Sequence, residues 1–273
     1  MIFEPYLSRW QLIPDGEPIA THSSRLLPVR HEDKPAMLKI ALETEERWGA
    51  SLMVWWDGDG AARVLAHDAT ALLMERATGH NSLIEMARSG RDDEASRIIC
   101  AVVATLHAPK DRPLPELIPL NHWFAELEPA ASRFGGILVH SAATARDLLA
   151  EPREVGVLHG DLHHGNVLDA GLRGWVAIDP KRLVGERGFD FANIFCNPDR
   201  ETSTAPGRLA RQVDVVAKAA GLERARLLKW ILAYAGLSAA WWLGDGEDDE
   251  ATLPLTVAEF AAAELAVSAA ESD

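Results

Sequence analysis

The stretch Val157-Leu158-His159-Gly160-Asp161-Leu162-His163-His164-Gly165-Asn166-Val167-Leu168 decides how this chain is read. Three histidines and one aspartate fall between positions 159 and 164. Gly160 and Gly165 argue against a helix here, so these polar side chains belong to a loop.

Two chemistries compete for such a loop. His159, Asp161 and His163 could ligate zinc, but zinc histidines usually sit one turn apart on a helix, as in H-E-x-x-H. The glycines remove that helix. Phosphoryl transfer fits better. The template H-R-D-x-x-x-x-N is met by His159, Asp161 and Asn166, with Gly160 in place of Arg. Asp179 ends the apolar run Trp175-Val176-Ala177-Ile178, where a kinase places its metal-binding aspartate. A hairpin through Ala170-Gly174 puts Asn166 and Asp179 at one end, where two oxygen ligands can share Mg²⁺.

From that spacing, Asp161 is the expected catalytic residue, accepting or orienting the proton of an attacking hydroxyl. Asn166 and Asp179 are expected to hold Mg²⁺ against the β- and γ-phosphates of ATP. Lys39, inside the apolar run Ala36–Ile40, supplies the fixed cation that a triphosphate needs. A lysine in such a strand calls for an anionic partner, and Glu46 in the following helical segment is the natural one, with Glu45 as fallback.

Outward from this block, the 273 residues carry 41 acidic and 27 basic side chains, a formal charge of −14. That sign excludes nucleic acid and disfavours anionic membranes, and it draws cationic small molecules. The 44 residues from Trp230 to Asp273 contain no Lys or Arg and nine of the acidic residues. Cys100 and Cys196 match no metal or redox spacing, so both read as reduced thiols of a cytoplasmic protein. The N-terminus lacks a basic and then apolar leader pattern. The longest strongly apolar run, Trp230–Leu243, is short for a membrane span.

Along the chain, the first third is β-rich. Ala36–Ile40, Ala61–Leu65 and Ala71–Glu75 read as strands, with a helix over Thr44–Trp55 closed by Asp57-Gly58-Asp59-Gly60. Asp92–His107 shows the apolar i, i+3, i+4, i+7 stripe, an acidic first turn and a stop at Pro109. Two further helical stretches lead to Pro152. After the hairpin, helices are expected over about 209–220, 223–242 and 255–270.

The whole chain resembles the aminoglycoside phosphotransferases, most closely the branch of streptomycin 6-phosphotransferases and hydroxyurea kinases. Its carriers include Met37-Leu38-Lys39, Trp55-Trp56-Asp57-Gly58-Asp59-Gly60, Leu72-Leu73-Met74-Glu75-Arg76-Ala77 and the 158–168 block. Ala177-Ile178-Asp179-Pro180, Phe189-Asp190-Phe191-Ala192-Asn193 and Leu237-Ser238-Ala239-Ala240-Trp241 complete the set. The resemblance implies an α+β, bilobal, protein-kinase-like fold. Its small β-rich N-lobe would span 1–76 and its larger, mainly helical C-lobe 77–273. It implies that the backbone at Glu75–Ala77 binds adenine and that Ser23 and Ser24 lie in the loop over the phosphates. There is no G-x-G-x-x-G, Ile178-Asp179-Pro180 replaces D-F-G, and A-P-E is absent, so a small-molecule acceptor is favoured over a protein.

The resemblance points to an ATP-dependent O-phosphotransferase for a streptomycin-type aminoglycoside, whose two guanidinium groups suit an acidic cleft. Glu186, Asp190, Trp241, Asp245, Glu247 and Asp248 are the candidate acceptor contacts. For Asp190, an alternative role is to bind backbone N–H groups of the catalytic loop. Two other readings stay open: a kinase for another hydroxyl compound such as hydroxyurea, and a catalytically silent nucleotide-binding protein.

Overall fold

A computed structural model describes residues 2–270, the side chains of 44–48 and 269 excepted. After helix α1 (Glu4–Arg9) come strands β1 (Ile13–Pro14), β2 (Ile19–Ala20), β3 (Ser24–His31) and β4 (Lys34–Ala41). Helix α2 (Thr44–Trp56) and strands β5 (Val64–His67) and β6 (Ala71–Glu75) follow. The sheet runs in the order β1-β3-β4-β6-β5, with β2 beside β3.

The β3–β4 hairpin turns on Glu32 and Asp33, both at positive φ, 48° and 60°. Two left-handed residues match the twist of paired strands. Neither is the Gly or Asn that normally marks such a turn, so β3 escaped the sequence reading and β4 was read short. Strand 61–65 is also corrected. Ala62 N–H bonds Ala177 O at 2.9 Å and Ala177 N–H bonds Gly60 O at 2.8 Å. Ala61 and Ala62 therefore belong against the later hairpin, and β5 starts at Val64.

The remainder is mainly helical. Helices α3 (Leu83–Met86) and α4 (Asp92–His107) precede strand β7 (Ile118–Pro119). Then come α5 (Leu120–Trp123), α6 (Leu127–Phe134) and α7 (Ile137–Ala150). Strands β8 (Val155–Leu158), β9 (Val167–Asp169), β10 (Trp175–Ala177) and β11 (Leu183–Glu186) carry the functional loops. Helices α8 (Arg200–Ser203), α9 (Arg208–Ala220), α10 (Arg224–Asp245) and α11 (Asp248–Ala270) close the chain. A large core of Leu, Ile, Val, Phe and Trp side chains runs under α4, α7, α9 and α10. A smaller one lies on the other face of the sheet, around Leu27, Val29, Leu38 and Leu73.

The middle of helix α10, from Trp230 to Ala240, is apolar on every face because it is packed on every face, with Trp230, Ile231, Ala233, Ala235, Leu237 and Ala239 fully buried. Helix α11 holds a 21-residue stretch, Asp248–Ser268, of mean hydropathy 1.3, long and apolar enough by composition to cross a membrane. It lies along α10 and buries Ala251, Val257, Ala258 and Ala261. The helices expected over about 223–242 and 255–270 are both longer: α10 runs to Asp245, the chain turns at Gly246 (φ 79°), and α11 starts at Asp248.

Candidate active site

The catalytic stretch is a loop between two strands. β8 leads in and pairs with β11, Leu158 opposite Leu183. β9 leads out and pairs with β10, Val167 opposite Ala177. One step beyond that ladder, Ile178 N–H donates to Asn166 O at 2.9 Å. Asn166 and Asp179 thus emerge side by side from the open end of one hairpin. Gly160 adopts φ 85°, and a Cβ there would press on Leu183 and Lys181. An arginine is therefore excluded at the template position that Gly160 fills.

Beneath the loop lies Asp190, 1% exposed. Its carboxylate accepts from His159 N at 2.8 Å, Gly160 N at 2.7 Å and His107 Nε2 at 2.8 Å. Burial alone would raise its proton affinity. The hydrogen bond and charge of His107, with those of the loop, outweigh it and keep the carboxyl below its usual range. Asp190 is thus no acceptor contact; it takes the alternative role of binding backbone N–H groups of the loop.

His159 is fully buried and stacked on Trp56. Its Nε2 donates to Ile178 O at 2.8 Å, while Nδ1 accepts from Asp161 N at 3.2 Å. One nitrogen donates and the other accepts, so the ring is neutral, consistent with burial pushing its pKa down. It ties the Asp161 turn to the segment carrying Asp179. His163 Nδ1 accepts from Gly165 N at 3.0 Å and braces the same loop.

Asp161 stands at the mouth of this scaffold. Its Oδ1 accepts from Asn193 Nδ2 at 3.0 Å. Asn166 Nδ2 donates to Asp161 O at 2.8 Å. That commits the amide nitrogen of Asn166 and leaves its oxygen as the end that can meet a cation. With the Asp179 carboxylate beside it, the donor set is all oxygen, the set a hard divalent ion takes. The residues therefore fit Mg²⁺. Lys39 Nζ pairs with the Asp179 carboxylate, joining β4 to the hairpin across the cleft. The expected partner Glu46, and its fallback Glu45, lie outside the described side chains.

Ser23 and Ser24 sit at the β2–β3 turn. Ser24 is corrected as a phosphate contact. Its side chain is buried, with Oγ 2.8 Å from Thr21 Oγ1, while Ser24 N–H donates to the same oxygen at 3.0 Å. It locks the turn. Ser23 O accepts from Leu42 N at 2.8 Å. Glu75 ends β6, its backbone N–H on Arg63 O at 2.9 Å and its carboxylate paired with Arg173. Ala77 follows in the irregular link to the helical part.

Two chambers meet at Asp161. One, of about 670 Å³, is lined by His122, Trp123, Glu126, Lys181, Tyr234, Trp241 and Asp245 among others. The other, of about 400 Å³, is lined by Asn193, Asn197, Tyr234, Trp241, Trp242, Asp245 and Glu250 among others. Trp241 and Asp245 face both, and Trp241 rests edge-on against Trp123.

Three candidate contacts are corrected. Glu186 is 4% exposed and bound by Arg226 at 2.6 and 2.9 Å, Trp230 Nε1 at 2.7 Å and Arg153 N at 2.8 Å. It is consumed inside the C-terminal part. Glu247 and Asp248 are exposed beside the Gly246 turn and line neither chamber. Glu126, Asn193 and Asn197 were not among the candidate site residues, while Glu250 closes the acidic run that begins at Asp245. The first lies far from the catalytic block in sequence, and the asparagines had no template position.

Residues 9–246 match the family described as aminoglycoside/hydroxyurea antibiotic resistance kinase. The chain belongs to that family. It is 55% identical over 245 residues to a streptomycin 3''-kinase of Klebsiella pneumoniae, covering 88% of this chain and 92% of the relative. It is 32% identical to a streptomycin 6-kinase of Streptomyces griseus, covering 93% and 86%. A hydroxyurea phosphotransferase of Kitasatospora aureofaciens is 32% identical, covering 89% and 72%. Among solved structures, a thermostable mutant aminoglycoside phosphotransferase in complex with ADP and hygromycin B superposes with a TM-score of 0.69. The identity is 13%, over 95% of this chain and 97% of that one. A choline kinase of Cryptosporidium parvum superposes at 0.65 with 12% identity, over 94% and 91%. The fold is therefore the bilobal kinase-like one, and the activity class is phosphotransferase.

Proposed function

We propose that this aminoglycoside-family kinase transfers the γ-phosphoryl group of ATP to the 3''-hydroxyl of streptomycin. The observation that carries the acceptor is the double chamber around Asp161, walled by Glu126, Asp245 and Glu250 and floored by Trp241 and Tyr234. Its size suits an aminoglycoside and far exceeds hydroxyurea. Carboxylates on two sides suit a molecule with two guanidinium groups. The resemblance to the 6-phosphotransferase branch leaves the hydroxyl open. The choice of 3'' rests on 55% identity to a 3''-kinase against 32% to a 6-kinase.

In this reading, Asp161 accepts the proton of the acceptor hydroxyl as its oxygen attacks γ-phosphorus. A new O–P bond forms, the bond from γ-phosphorus to the β,γ-bridging oxygen breaks, and ADP leaves with that electron pair. Lys39 exchanges part of its contact with Asp179 for phosphate oxygen. Asn166 and Asp179 would hold Mg²⁺, which when bound supplies positive charge beside the phosphates. Asp190 and His159 keep the loop from relaxing during transfer.

The test is coupled ADP release with streptomycin, a 2-deoxystreptamine aminoglycoside and hydroxyurea in parallel, with the product's phosphate located by NMR. Turnover of streptomycin with phosphate on the 3''-oxygen is expected. Phosphate at the 6-oxygen overturns the position, and turnover only on another acceptor overturns the substrate.

A further inference from the structure

Asp161 is held at two levels by one short segment. The 3₁₀ turn Arg187–Cys196 carries both Asp190 and Asn193. Asp190 anchors the backbone just before Asp161, through His159 N and Gly160 N. Asn193 anchors the side chain, donating from Nδ2 to Oδ1 at 3.0 Å. The other carboxylate oxygen is held far less: Asn166 Nδ2 lies 3.4 Å from Oδ2 and spends its better bond on Asp161 O.

The polarity of this contact is dictated chemically. An ionised carboxylate only accepts, so Asn193 must present its NH₂ end. Its carbonyl end then needs a donor. Asn197 supplies one, giving Nδ2 to Asn193 Oδ1 at 2.9 Å and to Asn193 O at 3.0 Å. Asn193 is 6% exposed, so a wrongly turned amide could not be rescued by bulk water. The chain Asn197→Asn193→Asp161 is therefore one-directional.

We propose that Asn193 is a positioning residue for phosphoryl transfer. Backed by Asn197, it clamps Oδ1 of Asp161 and leaves Oδ2 as the oxygen that meets the acceptor hydroxyl. This rests on the role of Asp161 given above. A base must hold its oxygen within about 2.6–3.2 Å of the proton it takes. An unclamped carboxylate can rotate about its Cβ–Cγ bond and meets that condition only part of the time.

The test uses the full chain with Asn193→Ala, Asn197→Asp and the double variant, compared with wild type at saturating ATP and streptomycin. Asn193→Ala should lower kcat about tenfold or more, the worth of one hydrogen bond to a charged group. KM for ATP should stay near wild type, which a general loss of structure would not leave unmoved. Asn197→Asp replaces the donor with an acceptor, turns the Asn193 amide round, and should lower kcat similarly. If Asn197 acts on Asp161 through the Asn193 amide, the two losses should not multiply, and the double variant should be close to Asn193→Ala. A kcat for Asn193→Ala within about twofold of wild type, or losses that multiply in the double variant, overturns the clamp.

Failure of the substrate reading looks different: wild type itself would leave streptomycin unphosphorylated. The clamp is then read without turnover. The Asn193 side-chain amide resonances, identified by their loss in Asn193→Ala, should be displaced downfield and move when Asp161→Asn removes the charge. Unmoved resonances overturn the proposal.

Discussion

Replacing Glu186 by Gln separates a structural carboxylate from a substrate contact. Each oxygen of Glu186 accepts two hydrogen bonds. Oε1 takes Arg226 Nε at 2.9 Å and Trp230 Nε1 at 2.7 Å, and Oε2 takes Arg226 Nη2 at 2.6 Å and Arg153 N at 2.8 Å. Gln keeps the shape but turns one acceptor into a donor. Whichever way its amide points, its NH₂ opposes two N–H donors in a site that is 4% exposed. Arg226, itself mostly buried, loses its counter-charge. Two lost charge-assisted bonds and a stranded guanidinium together cost about 3–5 kcal/mol. With an unfolding entropy near 2.1 cal/mol/K per residue, a chain of this length loses about 5–9 °C in Tm.

Circular dichroism melting at pH 7, beside coupled ADP-release kinetics, measures both sides. The expected result is the lower Tm with KM for streptomycin unchanged. An unchanged Tm with a raised KM would refute the structural role.

The same pair makes a pH statement. Burial raises the proton affinity of Glu186, but hydrogen bonds from Arg226, Trp230 and Arg153 outweigh it, so the folded carboxyl lies below its ordinary 4.5. The unfolded chain then binds the proton first, and stability from this group is present above pH 4.5 and lost as pH falls through the folded value. The stability gap between wild type and Glu186→Gln should therefore narrow below pH 4.5. A constant gap would sink that attribution.

Three further outcomes are expected. Asp161→Ala should abolish turnover and leave ATP binding intact by calorimetry; full activity would remove it from the chemistry. Glu126→Gln and Asp245→Asn should each raise KM for streptomycin several-fold without changing KM for ATP. Glu247→Lys and Asp248→Lys, outside both chambers, should do so much less, and equal effects from all four would mean a diffuse field rather than contacts. Gly236→Ala should cost about 1–3 kcal/mol in denaturant unfolding, because a methyl there overlaps Ser141 where α10 crosses α7; a neutral result would show that the helices can part freely.

Much of this protein was legible in the sequence because its evidence was local. The spacing of His159, Asp161 and Asn166 places the last two on one loop whatever surrounds it. The acidic first turn and apolar stripe of Asp92–His107 bound α4 to the residue, since capping and periodicity act within one helix. Strand β6 was legible as Ala71–Glu75 for the same reason. What depended on partners distant in sequence was not legible. Glu186 and Asp248 look alike as exposed-type acids in a one-dimensional reading. Only the fold gives Glu186 an arginine forty positions away and leaves Asp248 outside both chambers.

The tail shows the division most clearly. Its lack of Lys and Arg is a property of composition, and composition dictates net field. Where each charge acts is a property of packing. Glu264 is held by Arg224 at 2.8 Å, while Asp245 and Glu250 face the chambers and Glu247 does not. The sequence by itself therefore determined the chemistry of the loop and the sign of the field around it. The tertiary structure alone decided which carboxylates meet a substrate, because burial and pairing are settled by residues that the chain brings together from far apart.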